Sequence, residues 1–189
     1  MRVIVEGPDG AGKTTLIELL EIMLDIERQP RRVGTDGVAL VDLGQTVQDD
    51  LALEVTEPET LRLYDRHPLI SGPIYDPFIK GEFTGHQENP FHDGLMASMA
   101  TFYGQHNLVI VCLPPLGVVQ RYLEENPADQ LDCFRRDGYI GLHYWAYVNY
   151  ALMVNNLTPW MFRYDYTEWN GEDLRMTLNT LLRTFEAAA

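Results

Sequence analysis

Gly7-Pro8-Asp9-Gly10-Ala11-Gly12-Lys13-Thr14-Thr15 stands between the apolar run Val3-Ile4-Val5 and the helix-like run Leu16-Ile17-Glu18-Leu19-Leu20. This is the G-x-x-x-x-G-K-[ST] pattern in its required setting, after a strand and at the start of a helix. The spacing has a chemical reason. The glycines Gly7, Gly10 and Gly12, with the small Ala11, let the backbone curl so that successive N–H groups point inward at phosphate oxygens. The helix that follows adds the positive end of its dipole. Lys13 then reaches the β- and γ-phosphates of a nucleoside triphosphate, the Thr14 hydroxyl offers one Mg²⁺ position, and Thr15 continues the loop into the helix. A plain glycine-rich turn would not need Lys and Thr in register behind the last glycine.

The chain has 189 residues, 46% apolar and 22% charged, enough for one ordinary domain with a substantial core. Its net charge of −14, from 28 acidic against 14 basic residues, would repel a nucleic-acid backbone. A nucleic-acid partner would need Arg31, Arg32, Arg135 and Arg136 gathered on one face. Two cysteines, Cys112 and Cys133, give no disulfide framework and no zinc spacing. The N-terminus enters a strand without a charged leader, and no apolar run approaches the ~18 residues of a membrane helix. A cytoplasmic location is the expectation.

Along the chain, strand patterns fall at residues 2–6, 31–35, 60–64, 108–113 and 160–166. Helical spacing is read from Thr14 to about Glu27, closed by Pro30, and again at 91–103, 116–125, 139–155 and 172–186. The pattern over residues 38–54 is ambiguous, compatible with helix at 45–53 and strand at 38–41. A loop rich in Gly, Pro and aromatics is expected through Tyr75, Phe78 and Phe83. Alternating strands and helices predict an α/β fold: three layers, a five-stranded parallel sheet with helices on both faces. Ligands of such sheets lie at the carboxyl ends of the strands.

Asp65-Arg66, at the end of the strand at 60–64, is the second constellation. A carboxylate there holds Mg²⁺ through water or takes a substrate proton, and the arginine clamps a phosphate. A local surface ion pair is the plainer alternative. The double arginine Arg135-Arg136, past the helix break Asn126-Pro127, is the candidate to close over the transferring group, with Arg121 as second choice. Arg135 could instead pair with Asp132 or Asp137 on a solvated turn, worth under about 1 kcal/mol. Tyr75 and Phe78 are read either as core or as a wall against which a base stacks.

Val5-Glu6-Gly7-Pro8-Asp9-Gly10-Ala11-Gly12-Lys13-Thr14-Thr15-Leu16 resembles the phosphate loop of the thymidylate kinase family. Asp65-Arg66-His67 with Ser71 and Tyr75, and Leu113-Pro114-Pro115 with Arg121 and Leu131-Asp132-Cys133-Phe134, resemble further segments of that family. The resemblance implies a single P-loop nucleoside monophosphate kinase domain with a lid at about 121–138, using ATP and Mg²⁺. It implies an acceptor site formed by Asp9, Arg66, Ser71, Tyr75 and Phe78, metal contacts from Thr14 and Asp65, and a homodimer. Asp9 would join the donor loop to the acceptor. Three departures stand out. Thr35-Asp36-Gly37 lacks the family's Arg-Glu-Pro, residues 91–103 lack its arginine, and Ser71 and Tyr75 fall one position late, with Asp76 where glutamine is common.

The function expected is therefore transfer of a phosphoryl group to a deoxynucleoside monophosphate. A free deoxynucleoside, or a hydroxymethylated pyrimidine within DNA, is the alternative acceptor. A nucleotide-binding switch or regulatory ATPase is the alternative of another class.

Overall fold

In the computed structural model, residues 1–33, 43–57, 59–79, 107–126, 139–155, 160–169 and 171–188 are described. Four strands among them form one sheet: β1 (Arg2–Glu6), β2 (Arg62–Asp65), β3 (Asn107–Cys112) and β4 (Met161–Tyr164). All pairings are parallel, in the order β2-β1-β3-β4. Among the described residues the helices are α1 (Lys13–Leu24), α2 (Leu43–Thr56), α3 (Pro68–Ile79), α4 (Leu116–Glu125), α5 (Ile140–Asn155) and α6 (Gly171–Ala188).

β1 and β3 are buried along their whole length, as expected of strands covered on both faces. Alternation along each strand sends successive side chains to opposite sides. Val3, Val5, Leu108 and Ile110 pack with α1 and α6 through Leu16, Leu20, Leu174 and Leu178. Ile4, Val109 and Val111 pack with α3, α4 and α5 through Ile70, Val119 and Tyr147.

Three expectations need correction. The five-stranded sheet has four strands among the described residues. The strand expected at 31–35 does not extend through its described part. Instead Arg28 makes a single bridge to Leu63, and the Gln29 N–H donates to the Leu63 carbonyl at 2.7 Å. The chain touches the sheet edge early because α1 stops at Leu24, where Asp25 turns left-handed (φ 52) and donates to the Glu21 carbonyl. The loop expected after β2 is helix α3. Pro68 sits at its first position, where a missing N–H costs nothing. Leu69, Ile70, Ser71, Gly72, Ile74 and Tyr75 are all buried, so the segment shows no one-sided apolar stripe, and its prolines read as punctuation. The expected strand at 38–41 and helix at 91–103 lie outside the described residues.

In register, Val5 is paired with Asp65 and Glu6 with Val111. The phosphate-loop segment thus leaves the sheet beside the residues that follow β2.

Candidate active site

The loop after β1 is shaped by close contact. Gly7 takes φ 142, and a Cβ there would come 2.5 Å from the Cys112 carbonyl oxygen at the end of β3. No side chain fits. Gly12 takes φ 80 as the cap of α1, with the Tyr166 ring so near that a Cβ would lie 2.9 Å from it. Leu123 and Tyr122 of α4 lie beneath Gly10. Lys13 is buried, and its Nζ donates to the Pro8 carbonyl at 2.6 Å, curling over its own loop. Burial, then the neighbouring Arg66 charge, pull its pKa down from 10.5 to about 8. Ala11 is buried in the core beneath the loop. Thr14 and Thr15 open the helix with exposed side chains.

Facing the loop is a second group. Arg66 takes a left-handed backbone (φ 67), and its N–H donates to the Val5 carbonyl at 3.0 Å. Its guanidinium meets Asp9 Oδ1 at 2.6 Å and lies 4.7 Å from the centre of the Tyr75 ring. The Tyr75 hydroxyl donates to the same Asp9 oxygen at 2.9 Å. The chain therefore brings Asp9, Arg66 and Tyr75 together in one cluster. Burial alone would raise the Asp9 pKa, but the Arg66 and Lys13 charges outweigh it and hold the carboxyl below its ordinary value. Asp9 Oδ2 and Arg66 Nε and Nη1 are buried with no hydrogen-bond partner among the described residues.

Sequence reasoning missed Glu6. Fully buried, it accepts from the His67 N–H at 2.7 Å, from the Ser71 hydroxyl at 3.0 and 3.1 Å, and from the Tyr147 hydroxyl at 3.1 Å. Burial raises its pKa, partly offset by Arg66. Ser71, expected at the acceptor, is buried with its hydroxyl turned to Glu6. The available signal was a carboxylate directly after the apolar run Val3-Ile4-Val5. His143 and Tyr147 of α5 were also missed: the His143 ring stands edge-on to Tyr75 at 4.4 Å, and burial lowers its pKa to about 3.

Asp65 pairs with Arg31 at 3.2 Å, and Arg32 with Asp50 at 2.9 Å. The two described arginines of the four needed for a basic face thus meet carboxylates. Arg135, Arg136 and the segment 127–138 expected as a lid lie outside the described residues. Arg121 is exposed on α4, and Phe78 falls near the end of α3. Thr14 and Asp65 offer the hard oxygen donors that Mg²⁺ prefers. Among the described residues no helix is long and apolar enough to cross a membrane, and no cluster of three metal-ligating side chains occurs.

Solved structures settle the architecture. The chain shares the fold of a deoxyadenosine kinase. It is similar to that enzyme from M. mycoides with bound dCTP, at 17% identity and a TM-score of 0.55, over 97% of this chain and 100% of that one. The same enzyme with bound dATP matches at 17% identity and a TM-score of 0.54, over 96% and 99%. With the products dCMP and a flexible dCDP bound, it matches at 17% and 0.55, over 97% and 99%. No family model matches the chain, and no curated protein matches its sequence. The thymidylate kinase resemblance thus rests on its motifs, while the fold is one shared with the solved deoxyadenosine kinase.

Proposed function

We propose that this chain transfers the γ-phosphoryl group of ATP to the 5′-hydroxyl of a deoxynucleoside. The observation that carries this is the charge state of the wall opposite Lys13. Asp9 and Arg66 neutralise each other at 2.6 Å, yet Asp9 Oδ2 and two guanidinium nitrogens have no partner among the described residues. Buried polar atoms without partners cost about 1–3 kcal/mol each, so the cluster favours a ligand offering a hydroxyl to Asp9 and an acceptor oxygen to Arg66. A neutral deoxynucleoside supplies both without adding charge. The similar M. mycoides enzyme is described as a deoxyadenosine kinase, which supports a nucleoside acceptor over the monophosphate expected from the motifs.

Phosphoryl transfer depends mostly on alignment and on balancing spread negative charge. Lys13 and the loop N–H groups hold the triphosphate. Asp9 Oδ2 orients the attacking 5′-oxygen and takes its proton as the new P–O bond forms and the bond to the ADP oxygen breaks. Its lowered pKa makes Asp9 a weak base, which suits a loose transition state in which the proton leaves late. Tyr75, fixed by its bond to Asp9, limits where the sugar can lie. Thr14 and Asp65 would hold Mg²⁺, which would balance charge on the phosphates.

A monophosphate acceptor is the second reading, favoured by the spare Arg66 donors, which fit a phosphate. An ADP-release assay across deoxynucleosides and their monophosphates separates the two. Nucleoside turnover, lost by about 10³-fold in Lys13→Ala, is the expected result. Turnover with monophosphates only would move the acceptor to the second reading. ATP hydrolysis indifferent to every acceptor would point to a regulatory ATPase and sink both.

A further inference from the structure

Arg66 has a Cβ and yet sits at φ 67, a backbone state that costs such a residue about 1–2 kcal/mol. It persists only if its surroundings over-determine it. Its own N–H is held by Val5. The next residue, His67, is held more firmly. Its N–H donates to Glu6 at 2.7 Å, and its Nε2 meets Asp50 Oδ2 at 2.8 Å. Its Nδ1 accepts from the Leu69 N–H at 3.4 Å. One neutral tautomer, protonated at Nε2, satisfies both ring nitrogens.

Asp50 reaches this point from α2, where it is also pinned. It meets Arg32 at 2.9 Å and Arg2 at 3.2 Å, and only 2% of its side chain is exposed. The Tyr64 ring stands edge-on to His67 at 5.9 Å. So the peptide just after Arg66 is fixed from β1 by Glu6 and from α2 by Asp50.

We propose that His67, locked between Glu6 and Asp50, is the positioning residue that keeps Arg66 left-handed and so aims its guanidinium at Asp9 and the acceptor. This deepens the kinase reading and rests on it for Arg66 and Asp9. A mere staple joining α2 to the sheet is the competing account. A staple would stabilise the fold without choosing between the two substrates.

The test is a double-mutant cycle. His67→Ala should raise the KM for the acceptor by about tenfold or more, since misplacement of ~1 Å can cost 10²-fold. The KM for ATP should move by less than about twofold, and His67→Gln, which can still donate to Asp50, should recover most of the loss. In an Arg66→Ala background, His67→Ala should change acceptor kcat/KM by less than about twofold, because the residue it positions is gone. An equal effect in both backgrounds, or a loss of kcat with both KM values unmoved, overturns the proposal. If His67→Ala fails to fold, His67→Phe keeps the ring volume without its nitrogens, and the same outcomes decide.

A measurement without turnover separates this from the assignment of activity. The Arg66 Nε–H proton, assigned by Arg66→Lys in ¹⁵N spectra, should shift and exchange faster with solvent in His67→Phe. An unchanged signal rejects the positioning role even if the enzyme is active. A changed signal with no nucleoside turnover rejects the kinase reading alone.

Discussion

The phosphate loop and the wall opposite it are held by different means. The loop is a matter of backbone: Gly7 is wedged against the Cys112 carbonyl, and Gly12 turns beneath Tyr166. The wall is built from side chains brought from afar. Asp9 meets Arg66 across 57 residues, and Glu6 meets Tyr147 across 141. A backbone device depends on local residue types, so a short motif can specify it. A side-chain network depends on the whole fold and offers no contiguous pattern. The loop should therefore fail through sterics, and the wall through charge left unpaired.

The largest effect should come from the wall. Asp9→Ala leaves the Arg66 guanidinium buried beside Tyr75 without its carboxylate. Breaking one partner of a buried ion pair costs about 3–5 kcal/mol. Urea midpoints should show that loss in Asp9→Ala, and pairing it with Arg66→Met should restore more than half. If the double variant were no more stable than Asp9→Ala, the pair would not be the source of the cost.

The loop was legible because Gly7, Gly12, Lys13 and Thr14 each carry a local reason at fixed spacing. The buried strands were legible too, since β1 and β3 are built on the apolar runs Val3-Ile4-Val5 and Leu108-Val109-Ile110-Val111-Cys112. α3 was not. Residues 68–75 are buried nearly all round, and Pro73 and Pro77 fall inside the helix, so packing overrode what propensity alone implies. The edge beside β2 was misplaced because a left-handed Asp25 shortens α1, and nothing around Asp25 announces that stop. Arg66 was legible from its place after a strand, whereas the link of Asp9 to the acceptor came only by likeness to a family, and the meeting of both with Tyr75 needed the fold. Glu6 could have been suspected from its charge, but its donors Ser71 and Tyr147 could not have been paired with it without the fold. Asp50 and His67 sit in segments whose neighbours give no periodic signal for their meeting.

A smaller effect should separate two positions within the loop. At Gly7 an added Cβ meets a backbone carbonyl at 2.5 Å, which cannot move without shifting β3. At Gly12 it meets the Tyr166 ring at 2.9 Å, and a ring can swing aside. Both positions also carry a positive φ. Gly7→Ala should thus cost about 3 kcal/mol, combining strain and overpacking, and Gly12→Ala about 1 kcal/mol. Thermal unfolding of the two variants measures the difference. Equal losses would mean that the φ strain, not the neighbouring atoms, sets the cost.

The smallest expected effect joins the loop to the wall through Lys13. Burial and the Arg66 charge lower its pKa to about 8, against about 10.4 in an unfolded chain. Between those values the unfolded state holds the proton and the folded state has released it. Unfolding therefore takes up protons, and this group's contribution makes the fold more stable as pH rises through that window. A bound triphosphate reverses the preference, because its charge restores the cation. Near pH 8 about half of the free protein has lost the proton, so binding should take up about half a proton and be weakened by about 0.4 kcal/mol. Titration calorimetry of a nonhydrolysable ATP analogue, in two buffers of different ionisation enthalpy, reads that uptake. It should vanish near pH 6, where Lys13 is already charged, and in Lys13→Met. Zero uptake at pH 8 would mean that neither burial nor the Arg66 charge lowers the Lys13 pKa in the free protein.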